Sequence, residues 1–108
     1  MPDFSLNLKF EYQYRDAANY KQYNWIVFSN PNKLSIENID ALIRNCLFDR
    51  EFFNHIDFGI PPLFFEIKNS DDHDWHEYLN ISLTNEAITD ERTIDDFLES
   101  IKIKSHSV

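Results

Sequence analysis

The sequence predicts an α+β fold: a two-layer sandwich in which a four-stranded, mainly antiparallel sheet carries two helices on one face, in the order ββαββα, as a single domain over residues 1–108. Three observations carry this prediction. Residues 4–15, FSLNLKFEYQYR, alternate apolar and polar without a break. Two later segments place apolar residues at steps of three and four behind a capping residue. Between those segments lie two short runs of extended character.

In chain order, Phe4, Leu6, Leu8, Phe10, Tyr12 and Tyr14 fall on one face of the first strand, with the polar residues on the other, the signature of a half-buried strand. DAANYKQ turns the chain, and YNWIVFSN, apolar on both faces, reads as a second strand lying inside the sheet rather than at its edge. After NPNKL, Ser35 is a natural N-cap. Ile36, Ile39, Leu42, Ile43, Cys46 and Leu47 form a helical stripe that frays around DREFF, and NHIDFGIPP is a connector. LFFEIK (63–68) is a short strand, NSDDHD a polar turn, and WHEYLNISLT a strand whose apolar face reads Trp75, Glu77, Leu79, Ile81 and Leu83, so these two strands form a second hairpin. Thr93 and Asp96 make an approximate capping box for a final helix with Ile94, Phe97, Leu98 and Ile101 on its inner stripe.

Ten Phe, five Tyr and two Trp supply enough apolar area for a core without disulfides or a structural metal. Gly59 is the one glycine, which excludes the glycine-rich loops that cradle phosphates. Cys46, alone and within an apolar stripe, reads as a small buried hydrophobe, in keeping with a reducing compartment. With neither a signal-like N-terminus nor a long apolar stretch, a cytoplasmic location is expected. Residues 66–99 hold 11 acids against 2 bases, which equals the whole net charge of −9. Such a field repels phosphate backbones and anionic membranes and attracts a basic protein surface, so neither direct nucleic-acid binding nor membrane binding is expected.

The stretch SDDHDWHEYL sets His73 and His76 three apart among carboxylates. On a strand that spacing sends the two imidazoles to opposite faces, so a solvated turn is the leading reading. The alternative is a metal site using His73 and His76 with Asp72 or Glu77. Glu77 interrupts an apolar face, and an ion pair with Arg15 is the simplest way to satisfy it; no nucleophile, second acid or oxyanion device accompanies it. Asp16 and Asn19 suit a turn that bonds its own backbone, with a recognition loop as the alternative. Phe28, Phe64 and Tyr78, beside Ile26, fall on the sheet face opposite the helices, where they could anchor a partner or a second copy.

The words YRDAANYKQ, EFF and DHDWHEY, at these spacings, resemble a family of short uncharacterised bacterial proteins with YRDxxNYK, EFF and DHxWHE motifs. The resemblance marks Tyr14, Arg15, Asp16, Asn19, Tyr20, Lys21, Phe52, Phe53, Asp72, His73, Trp75, His76 and Glu77, and implies no activity. If strands one and four adjoin, Arg15, Asp16, His76 and Glu77 would form a small polar pocket. The functional expectation is a non-enzymatic interaction module without cofactor: a regulator, inhibitor, immunity-type or accessory protein. It would dock a protein partner, basic in character, or a second copy as a homodimer, through Asp71, Asp72, Asp74, Phe28, Phe64 and Tyr78. A small metal-dependent hydrolase or ligand-binding protein is the alternative.

Overall fold

A computed structural model describes residues 6–63 and 75–105. The expected strand Leu63–Lys68, apart from Leu63 itself, and Phe64, Asp71, Asp72, His73 and Asp74 lie outside the described residues. The elements are β1 (Asn7–Arg15), β2 (Lys21–Phe28), α1 (Ile36–Asn45), β3 (Phe52–Asn54), α2 (His55–Phe58), β4 (Trp75–Thr84) and α3 (Ile94–Ser105). The four strands form one antiparallel sheet in the order β2-β1-β4-β3. The α+β fold predicted from the sequence is therefore present, and β1 and β4 are neighbours.

The alternation of β1 does what its period dictates. Leu8, Phe10, Tyr12 and Tyr14 are buried on the helix side of the sheet, where Phe10 sits within 5.4–6.3 Å of the rings of Tyr12, Phe53, Phe58, Tyr78 and Phe97. Ser35 caps α1 by accepting from the Asn38 N–H at 3.2 Å, and Thr93 Oγ1 accepts from the Asp96 N–H at 3.1 Å, so both helix starts stand where their cap residues place them. Ile39 and Ile43 of α1 and Ile94, Phe97 and Ile101 of α3 fill the core against the sheet.

Several expectations are corrected. EFF is not the frayed end of α1: Phe52 and Phe53 pair with Glu77 and His76, so a segment too short to show a period becomes strand through a neighbouring edge. The connector holds a single helical turn, α2, capped by Asn54 and closed by Gly59 at φ 64°, a left-handed conformation that glycine adopts without a Cβ penalty. Among the described residues β4 pairs with β1 and β3, so the third strand of the sheet is Phe52–Asn54.

Among the described residues β2 is an edge strand, not an interior one. At its apolar end Ile26 and Phe28 are buried in the core, and Val27, between them, is buried where the chain leaving β4 crosses to the β2 edge. Asn7 Nδ2 donates to the Glu86 carbonyl at 2.8 Å, Thr89 N–H to the Val27 carbonyl at 3.0 Å, and Ser29 bridges Thr93. Arg92 fastens this crossover: it donates to the carbonyls of Phe58 and Gly59 and to Asp90, and its guanidinium lies 5.1 Å from the Phe97 ring. Its charge holds the Asp90 carboxyl below the usual range, chiefly through their side-chain hydrogen bond.

Candidate functional site

The hairpin register fixes which residues share the outer face, the one turned away from the helices. Arg15 pairs with Lys21, Gln13 with Tyr23 and Glu11 with Trp25, so the odd-numbered residues of both strands lie together. On the far side Gln13 pairs with Glu77 and Glu11 with Asn80, while Tyr12 pairs with Tyr78, which leaves Leu79 as an extra residue. This bulge reverses the parity of β4 midway. Before it, His76 and Tyr78 point to the helices and Glu77 to the outer face. After it, Ile81 is in the core, as its apolar character demands.

The hairpin register, the bulge and simple alternation together correct two sets of candidates. Phe28 and Tyr78, expected on the face opposite the helices, are 0 % and 4 % exposed beneath them. Phe28 stacks on Phe97 at 4.5 Å. The Tyr78 hydroxyl donates to Asp40 of α1 at 2.6 Å, and burial followed by this bond pushes its pKa above the ordinary value. Neither presents a surface to a partner. The four-residue polar pocket is likewise divided. Arg15 and Glu77 meet on the outer face, Asp16 lies in the turn, and His76 is on the opposite side of the sheet, fully buried. Its ring packs 5.1 Å from Tyr14 and 5.8 Å from Phe53, and its Nε2 accepts from the Leu63 N–H at 2.9 Å. That nitrogen's lone pair is therefore taken, and Glu77 lies across the sheet from it. The described half of the alternative metal set does not converge on one point. Among the described residues no group of three His, Cys, Asp or Glu could hold an ion.

The outer face is built in rows. At its centre, Glu77 accepts from Gln13 Nε2 at 3.0 Å, and Arg15 Nε lies 3.3 Å from its other oxygen; the Glu77 side chain is 8 % exposed and that of Arg15 39 %. The expected Arg15–Glu77 pair is thus present and has a third member, Gln13, that the sequence did not suggest. Asp16 accepts from the N–H groups of Ala18 and Tyr20, and Asn19, at φ 69°, accepts from Arg15, so local turn bonding accounts for both. Around this centre stand aromatics: Tyr23 is 62 % exposed, Trp25 45 % and Trp75 42 %. Lys9 Nζ lies 4.3 Å from the Trp25 ring and 3.1 Å from Glu86, and Trp75 stacks on Phe48 at 5.4 Å. Hydrogen bonds from Lys9, then Thr84, with a smaller one from Trp25, keep the Glu86 carboxyl below its usual range.

The sequence did not nominate Tyr23, Trp25 or Trp75 for a partner surface, although the resemblance marks Trp75. The available signal was the pairing parity across the turn, which sets Tyr23 and Trp25 beside the polar side chains of β1 and away from its apolar ones. Among the described residues no helix is long and apolar enough to cross a membrane. No protein family, curated protein or solved structure matches this chain.

Proposed function

We propose that this protein is a small acidic interaction module, a regulator, inhibitor, immunity-type or accessory protein, that docks a basic protein partner through the outer face of its sheet. One observation carries the reading. Tyr23, Trp25 and Trp75, large amphipathic side chains of the type that anchors interfaces, stand exposed around a paired polar centre of Gln13, Arg15 and Glu77. The acidic stretch adjoins them, since Asp90 and Glu91 line the same surface depression as Trp25. A net charge of −9 steers a basic partner to the molecule, and the aromatics hold it.

Site-specific photo-crosslinking in the native cell tests this. A crosslinking residue in place of Tyr23 is expected to capture one discrete partner, and the yield to fall severalfold when Trp75→Ala is added. The same residue in place of Glu99, exposed on α3, is expected to capture none. Equal capture from both positions, or none from Tyr23, contradicts the docking role.

A further inference from the structure

Among the described residues the strand order leaves β2 with one side unpaired by any strand, and the chain's own crossover uses only part of it. Val27 turns its N–H and C=O outward, where they meet Thr89 Oγ1 at 2.9 Å and the Thr89 N–H at 3.0 Å. By alternation Lys21, Tyr23 and Trp25 turn theirs the same way. Among the described residues no hydrogen bond reaches those outward groups. Lys21, Tyr23 and Trp25 are exposed, so a row of backbone donors and acceptors along five residues is left unpaired among the described residues and stops against the crossover at Val27. Such an edge is a template for an added strand.

A second observation adjoins it. A depression of about 710 Å³ opens beside the Trp25 end of the edge, lined by Ile26, Gly59, Pro61, Asp90, Glu91 and Arg92. Asp90 is engaged by Arg92 at 2.8 Å, whereas the exposed Glu91 makes no ion pair among the described residues. The depression therefore offers one uncommitted carboxylate at the position where side chains of an incoming strand would fall.

We propose that the Lys21–Trp25 edge of β2 binds an extended segment of a basic partner as a fifth strand of the sheet, with a lysine or arginine of that segment seated against Glu91. Lys21 repels a basic side chain at the other end, which sets the direction of charge along the groove. Self-pairing of two β2 edges would satisfy the same backbone groups but brings together two molecules of net charge −9, so opposite charge selects the partner. The inference rests on the docking role proposed above and assigns its mode. The test below reads the edge alone, so its failure is distinct from failure of the crosslinking experiment.

The probe is a heptapeptide of alternating threonine and valine with a single terminal lysine, titrated into the isotope-labelled full chain and followed by amide resonances. Saturable shifts are expected at Lys21, Tyr23, Trp25 and Glu91, with the counterpart that carries glutamate in place of the lysine at least tenfold weaker. Tyr23→Pro removes an outward N–H that the β1 ladder does not use, and is expected to weaken binding about tenfold. Glu91→Lys touches no backbone bond and is expected to do the same, which keeps the proposal testable if the proline variant fails to fold. Absence of saturable shifts, or equal binding by wild type and Glu91→Lys, overturns it. So does a dimer of the free chain in sedimentation that Tyr23→Pro abolishes, because the edge then belongs to a second copy.

Discussion

The two faces of β1 meet opposite surroundings. Leu8, Phe10, Tyr12 and Tyr14 lie among rings and helix stripes, whereas Lys9, Glu11, Gln13 and Arg15 lie among charges, amides and exposed aromatics. The inner face has one continuous apolar cluster spanning every element, so each side chain there is held by many neighbours. On the outer face the hydrogen bonds and ion pairs are few and specific, and the largest apolar side chains, Tyr23, Trp25 and Trp75, keep much of their area in water. An alternating strand thus divides the work: one parity makes the fold, and the other is left to make contacts with something else.

Substitution sharpens this contrast. Phe10→Ala removes the ring at the centre of the aromatic cluster and is expected to cost about 3–5 kcal/mol in denaturant unfolding, the largest effect in the molecule. Glu77→Ala, at the buried centre of the outer face, strands the Gln13 amide and is expected to cost about 1–3 kcal/mol, while Glu77→Gln keeps an acceptor and is expected to cost about 1 kcal/mol or less. If Glu77→Ala proves as damaging as Phe10→Ala, the two faces are not as different as described.

A smaller effect is expected in acid. The Asp90 carboxyl is held below its ordinary 3.8 by Arg92, so the stability it contributes is fully present above that value and is lost as pH falls through the lower, folded-state value. In an acid titration of stability, Asp90→Asn is therefore expected to flatten the slope below pH 3.8. An unchanged slope would separate the crossover from acid unfolding.

The legible parts of this fold are those whose signals are local. Twelve alternating residues announced β1, and Ser35 and Thr93 announced two helices, because caps and periods act within one turn or one strand. The edge position of β2 was hidden, because the cover over Val27 comes from Thr89 and Asp90, some sixty residues on. β3 was hidden because Phe52–Asn54 is strand only through its partner. The bulge at Leu79 did most harm: a single extra residue moved His76 and Tyr78 to the inner face and exchanged two site candidates for core. The Arg15–Glu77 pair survived because a charge on an apolar-looking strand needs a partner whichever face it occupies.

The division between faces is tested most directly by one doubly substituted chain, Tyr23→Ala with Trp75→Ala, measured for both unfolding free energy and photo-crosslinking from the Trp25 position. Stability within about 1 kcal/mol of wild type together with a severalfold loss of captured partner is the predicted result. A large loss of stability would mean that these aromatics serve the fold, and undiminished capture by a folded chain would mean that the partner sits elsewhere.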